Sequence, residues 1–338
     1  MIGCGTATFT DPEDFRVNVP GTTINLVLTA RGDFKARVTW VDLPRLRLAR
    51  CVESAPRIAF VGLEPGPVFA SFPIGHDPPA VWNGVQMRPG EIVLHGCGDH
   101  IFQRTSGAGR WGLMCLAPKQ LADFSRTLTH AVLPPPAAAK ILRPPSKLVV
   151  ELLRLHGQAC RLAQAKPDMI AHQEVTRAVE EDLLHALVNC LTGDEAHNDA
   201  GARQRHAKIM ARFEMVLAPP ESAQRSMPEI AAAMGLSERT LCKCCEAFLG
   251  MSPGQYARLR RLNLVRAALR RADPAKSSVG EIARQWGFSE LGRFAVAYRR
   301  IFGETPSTTL QKYRPRPNLH SGRASPSDNV RSQILKQL

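Results

Sequence analysis

The chain has 338 residues, 44 Lys and Arg against 30 Asp and Glu, and a net charge of +14. That length accommodates two domains with separate cores, and no apolar run reaches the roughly eighteen residues that a membrane-spanning helix needs. Nine cysteines without framework spacing, and a start (MIGCGTATFTDPEDF) without a basic, then apolar, leader, exclude a disulfide-stapled secreted scaffold and predict a cytoplasmic protein.

In chain order, residues 15–120 read as β-rich. Short stretches at Thr23–Thr29, Ala36–Asp42, Arg57–Gly62 and Glu91–His95 are alternating or β-branched, with Gly, Pro and Asp between them. Many short strands at this spacing predict a sandwich or small barrel. The histidines here are His76, His95 and His100, with Cys97 and Asp99 between the last two. They lack the paired His-x-His spacing of a metal-dependent barrel enzyme, and no GxSxG, phosphate loop or GxGxxG behind a strand occurs. No catalytic residue, cofactor or metal is assigned, and the chain is not expected to be an enzyme.

Residues 134–145 (PPPAAAKILRPP) read as a semi-rigid, Pro-rich connector. Residues 146–192 read as helical, in two stretches, Leu148–Ala165 and Gln173–Leu191. Val175, Val179, Leu183, Leu187 and Leu191 recur every four residues in the second, a stripe that predicts a core face. The stretch GDEAHNDAG (193–201) is polar and predicts a hinge. The tail, 314–338, is rich in Pro, Ser and Arg and predicts disorder.

Between hinge and tail lies a repeated pattern. Met227 to Met234 (MPEIAAAM) forms a short helix, Gly235-Leu236-Ser237 a turn, and Glu238 to Leu249 (ERTLCKCCEAFL) a longer helix stopped by Gly250. The pattern returns at Val279, where Ile282, Ala283 and Trp286 share one face and Gly287 breaks the helix. Ser289 is placed to cap the next helix, in which Leu291, Phe294, Tyr298 and Ile301 face inward. Gly303 and Pro306 end it. The copies align as EIAAAMGLSERTL against EIARQWGFSELGRF, then LGMSP against FGETP. A short helix packed across a longer one with outward arginines is the helix-turn-helix layout, and the repeat strengthens it.

Charge points the same way. Residues 1–200 carry 20 basic and 20 acidic side chains, and residues 201–338 carry 24 and 10, so the whole excess of +14 lies on the half with the repeat. Such asymmetry marks a polyanion-binding half. Nothing reads as an amphipathic membrane anchor, so no membrane partner is expected and nucleic acid is the better fit. Cys242, Cys244 and Cys245 read as small helix residues, since structural zinc needs four converging ligands.

From about Arg203 to Leu310 the chain resembles the DNA-binding domain of the AraC/XylS family of bacterial transcription regulators. The resemblance rests on Ile230, Ala231, Gly235, Ser237, Leu241, Gly250, Pro253, Tyr256, Leu262, Ile282, Ala283, Gly287, Phe288, Phe294, Tyr298, Gly303 and Pro306. WGFSELGRF and FGETPSTTL are similar to the branch that includes the ethanolamine operon regulator. The family commonly has an aromatic residue where this chain has Cys245.

The resemblance implies an α+β architecture. An N-terminal β-rich, cupin-like domain plus helices (1–200), for effector sensing and dimerisation, precedes an all-α C-terminal domain (203–313). The latter holds helix-turn-helix motifs at about 227–249 and 279–302. It further implies double-stranded promoter or operator DNA, a small-molecule effector and RNA polymerase as partners, and a homodimer.

The helix joining the motifs, Pro253 to Arg271, spans about 27 Å at 1.5 Å per residue. The major groove repeats about every 34 Å, so such a rod can place both recognition helices on one face of a duplex. In the first, Ser237 and Thr240 suit capping or phosphate contact. Arg239, Cys242 and Lys243 face outward, with Arg239 and Lys243 spaced i, i+4 to reach guanine edges. In the second, the candidates are Ser289, Glu290, Gly292, Arg293, Val296, Arg299 and Arg300. Several are small or apolar, so this motif is expected to read shape more than sequence. The expected function is a sequence-specific transcription regulator. The alternatives are a cupin-type metal enzyme with a DNA-binding appendage and a nonspecific architectural DNA-binding protein.

Overall fold

A computed structural model describes residues 3–15, 21–75, 78–96, 98–193 and 200–312. The N-terminal half is β-rich and the C-terminal half helical. Its strands are β1 (Gly3–Phe9), β2 (Thr22–Leu28), β3 (Ala36–Asp42), β4 (Arg47–Glu53), β5 (Arg57–Leu63), β6 (Val68–Pro73), β7 (Val81–Trp82), β8 (Val85–Gln86), β9 (Ile92–His95), β10 (His100–Thr105), β11 (Gly109–Leu116) and β12 (Lys140–Leu142). Helix α1 (Pro12–Phe15) follows β1. Helices α2 (Pro118–Thr129), α3 (Ser146–Ala165), α4 (Pro167–Ala171) and α5 (Gln173–Thr192) complete this half.

One antiparallel sheet has seven strands in the order β1-β3-β4-β11-β6-β9-β12, and the other has five in the order β2-β5-β10-β7-β8. Alternation along the strands decides what each face covers. Leu26, Val38, Cys51, Val61, Ile101 and Leu113 fill the space between the sheets. Val41, Leu48, Phe72 and Met114, on the other face of the larger sheet, pack against Leu152 of α3 and Leu183 and Leu187 of α5. The predicted stripe of α5 thus faces a core, with Leu183, Leu187 and Leu191 buried.

The space between the sheets also holds a buried ion pair. Arg57 Nε and Nη2 donate to the two carboxylate oxygens of Glu53 at 2.6 and 2.9 Å, and Trp111 Nε1 donates to Glu53 at 2.7 Å. Arg57 Nη1 also donates to the Gln103 carbonyl at 3.0 Å. Burial alone would raise the Glu53 pKa, but the Arg57 charge and these hydrogen bonds outweigh it and hold the carboxyl below the usual range.

The structure corrects three readings. The β-rich region begins at Gly3 rather than residue 15, because β1 pairs with β3 along its whole length. That region ends at Leu116 rather than residue 120, because α2 begins at Pro118, where proline's missing N–H costs nothing. The Pro-rich stretch 134–145 is not wholly a connector, since Lys140–Leu142 pairs with β9 as an edge strand. The predicted hinge lies mostly outside the described residues, as do the tail 314–338, His76 and Cys97.

The C-terminal half contains α6 (Ala200–Leu217), a 3₁₀ turn at Pro220–Gln224, α7 (Met227–Ala233), α8 (Glu238–Leu249), α9 (Pro253–Arg271), α10 (Val279–Gln285), α11 (Leu291–Phe302) and α12 (Pro306–Gln311). It is built directly onto the β-rich half. Val27, Ile58 and Phe102, from the outer face of the smaller sheet, share a core with Phe213, Leu241, Phe248 and Leu249.

Candidate DNA interface

Each motif is built the same way from the sequence up. Ser226 caps α7 by accepting from the Glu229 N–H at 3.4 Å, while Glu229 accepts from the Ser226 N–H at 2.7 Å. Ser278 and Glu281 repeat this reciprocal cap at α10, at 3.2 and 3.1 Å. Both turns pass through a glycine in the left-handed region, Gly235 at φ +64 and Gly287 at φ +76, where a side chain would be strained.

Ser237 then caps α8, its hydroxyl accepting from the Thr240 N–H at 3.2 Å and lying 2.9 Å from the Thr240 hydroxyl. On α8, Leu241, Cys244, Cys245 and Phe248 point inward. Arg239, Cys242 and Lys243 are exposed on the opposite side. Cys245 is fully buried, so a thiol occupies the core at the position where the resemblance led us to expect an aromatic. Burial pushes the Cys244 and Cys245 thiols up, which keeps them protonated and inert.

The second motif departs from the first at its cap. Ser289 does not cap α11; the boundary residue is Glu290, with no side-chain cap hydrogen bond. The turn runs one residue further than in the first copy, so the hydroxyl falls outside capping register. Glu290 instead forms an exposed ion pair with Arg293 at 2.9 Å. Phe294 and Tyr298 are buried, while Ser289, Gly292, Arg293, Val296, Arg299 and Arg300 are exposed. Val296 is 72% exposed, an unusual position for an apolar side chain without a partner.

The rod α9 carries both motifs. Ser252 and Gln255 cap its start, again reciprocally, at 3.3 and 3.0 Å. On one side, buried Glu214 of α6 accepts from the Tyr256 hydroxyl and from Arg260 Nε at 3.0 Å. Further along, Arg261 donates to the Ala223 carbonyl at 3.0 Å and lies over the Phe288 ring at 5.4 Å, which ties the second motif to the 3₁₀ turn that precedes the first. The second motif's own core is Leu262, Val265, Leu269, Ile282, Phe294 and Tyr298.

Contacts that no motif announces join α9 to the β-rich half. Asn263 Oδ1 accepts from the Leu28 N–H at 2.9 Å, and Asn263 Nδ2 donates to the Leu28 carbonyl at 3.2 Å. Asp11 pairs with Arg266 and Arg270, and Glu13 pairs with Arg271 at 2.7 Å. Sequence reading missed them because partners more than two hundred residues apart leave no local period. The run RLRRLNL shows only arginines interspersed with leucines.

The histidines considered earlier lie apart. His95 is buried with Nε2 2.6 Å from the Ser71 hydroxyl, and burial pushes its pKa down to about 3. His100 stacks on Phe60 at 5.2 Å, on the other sheet. Among the described residues no group of three or more His, Cys, Asp or Glu is placed to hold a metal, and no helix is long and apolar enough to cross a membrane.

Residues 230–312 match the family described as helix-turn-helix domain. Over 87 residues the chain is 40% identical to the XylDLEGF operon transcriptional activator of Pseudomonas putida, covering 26% of this chain and 27% of that one. It is 38% identical over 86 residues to a Rhodococcus erythropolis protein described as a probable thc operon regulatory protein, covering 25% of this chain and 26% of that one. The chain thus matches about a quarter of the length of these curated relatives. Among solved structures it is similar to the AraC-like transcriptional activator CuxR, with 14% identity, 84% of this chain and 98% of that chain covered, and a TM-score of 0.39.

Proposed function

We propose that this chain is a DNA-binding transcription regulator of the AraC/XylS type. It inserts α8 and α11 into successive major-groove segments of one duplex. The observation that carries this reading is the pair of matching, capped helix-turn-helix units joined by one rod, each presenting an exposed face on the basic half of the chain. Arg239 and Lys243 are the direct readers, by bidentate and point-charge hydrogen bonds to guanine edges. Ser237 and Thr240 are engaged in capping, so their remaining role is phosphate contact. Gly292 and Val296 allow close approach and methyl contact, with Arg293, Arg299 and Arg300 on the flanking phosphates.

Residues 1–200 are the sensing and pairing part, with dimerisation through α3 or α5 and a small molecule shifting the orientation of the DNA-binding half. RNA polymerase is a further partner in this reading, and no catalytic role is assigned. Placement in the ethanolamine operon regulator branch rests on WGFSELGRF and FGETPSTTL alone.

The test is binding of the purified chain to DNA upstream of its own gene, against an unrelated duplex of equal length, titrated across salt. A preference that persists at physiological salt is expected. Equal affinities that collapse together as salt rises would leave counterion release alone and favour an architectural role. Arg239→Ala should cost about 1–3 kcal/mol on the preferred duplex and less on the control. A uniform loss would reassign Arg239 to phosphate.

A further inference from the structure

A basic groove of about 910 Å³ runs between the two motifs. Its floor is the middle of α9, with Gln255, Arg258 and Leu262, and one end reaches Gly250 and Met251 after α8. One wall is α11, with Gly292, Arg293, Val296 and Arg300. The opposite lip belongs to the β-rich half: Thr29, Ala30 and Arg31, in the loop between β2 and β3. Four arginines from three elements line this groove, and no carboxylate does among the described residues. Among the described residues, only Arg293 of the four forms an ion pair, with Glu290, which lies outside the lining.

The groove shares a wall with the recognition face. Gly292 and Val296 belong to both, and nothing stands within 4 Å of a Cβ built on Gly292. A duplex that takes α8 and α11 into successive major-groove segments carries the phosphates flanking the intervening minor groove across the span between them. The groove lies in that span. We infer that Arg31, of the β-rich domain, and Arg258, of the rod, bind the phosphodiester backbone of DNA there, so that the N-terminal domain forms part of the DNA-binding surface. This rests on the DNA-binding reading above and extends it to a residue outside the helix-turn-helix domain.

Arg31 has a competing structural role. Its Nε lies 2.9 Å from where a Cβ would stand on Gly303, the left-handed residue that ends α11, and a cation there complements the helix C-terminus. The two roles differ in what they move. Helix capping changes stability, whereas a phosphate contact changes the salt dependence of binding on every sequence.

The experiment uses the full chain and its Arg31→Gln, Arg258→Gln and Arg31→Lys variants. Affinity for the upstream duplex and for the unrelated duplex is measured from low to physiological salt, with Tm alongside. Each Gln variant is expected to make the slope of log K against log salt shallower by about 0.9 on both duplexes, and Arg31→Lys to keep the wild-type slope. Unchanged slopes in both Gln variants would overturn the inference, as would tighter binding by Arg31→Gln, which would mean the loop obstructs DNA. A lower Tm with an unchanged slope would make Arg31 a helix cap only. If the wild type itself shows no preference for its upstream duplex, the regulator reading fails first. If it shows that preference while the slopes stay fixed, only this inference fails.

Discussion

Asn263→Ala tests how firmly the two halves are joined. Asn263 sits mid-rod with its amide against the strand-free edge of β2, an outermost strand of the five-stranded sheet, and satisfies both the N–H and the carbonyl of Leu28 at 2.9 and 3.2 Å. It does for β2 what a neighbouring strand would do. Alanine removes two hydrogen bonds worth about 1 kcal/mol each net, and leaves buried backbone groups whose unsatisfied cost is about 1–3 kcal/mol. The expected loss is therefore about 2–4 kcal/mol, the upper part applying if water cannot reach Leu28. The third bond of the side chain, to the Leu259 carbonyl at 2.9 Å, is internal to α9, whose carbonyl already serves the helix, and adds little. Urea denaturation followed by circular dichroism and by tryptophan fluorescence should show a lower midpoint and transitions that separate, because Trp40, Trp82 and Trp111 report on one half and Trp286 on the other. Hydrogen exchange at the Leu28 amide should accelerate in the same variant. A midpoint shift worth less than about 0.5 kcal/mol, with Leu28 protection unchanged, would refute this account, since exposed substitutions alone produce changes of that size.

Three further perturbations probe the rest of the architecture. Glu53→Gln leaves Arg57 buried without its carboxylate and should cost about 3–5 kcal/mol by urea denaturation; a loss below about 1 kcal/mol would mean water or rearrangement compensates. Gly287→Ala places a Cβ at φ +76, 3.0 Å from both the Ala223 carbonyl and Arg261 Nη1, and should lower stability by about 1–3 kcal/mol and weaken DNA binding; an unchanged Tm would show that the turn relaxes freely. His156 donates from Nε2 to the Ala49 carbonyl at 3.1 Å, and burial pushes its pKa down to about 4. A buried base held neutral stabilises the fold fully above its ordinary pKa of 6.5, and that contribution is lost as the pH falls towards 4. Wild-type stability should therefore decline across that window, where unfolding takes up protons, with His95 adding to the slope. His156→Gln should flatten the decline by up to one proton, about 1.4 kcal/mol per pH unit; an identical pH profile would refute the assignment.

The two recognition units were legible because helix-turn-helix geometry is local. A cap residue, an apolar face at helical spacing and a left-handed glycine occur within about twenty residues, so Gly235 and Ser237, then Gly287, announce the motifs in order, while the caps at Ser226 and Ser278 came only with the structure. Charge is also local in sequence, and its excess after residue 200 marked the half proposed to bind DNA. Strands with alternating burial, such as Ala36–Asp42, were equally readable. Three things were not. The Lys140–Leu142 strand hides in a proline run because only the open edge of β9 recruits it. The cap at Ser289 fails because one extra turn residue moves the hydroxyl out of register, which no composition records. Above all, the seating of Phe248 on Phe102, of Asn263 on Leu28 and of Arg31 beside α11 depends on side chains more than a hundred residues apart. Sequence alone determined what each half is made of and where its charge lies. Only the tertiary structure decided that the halves share a core, because complementary surfaces between distant segments carry no period along the chain.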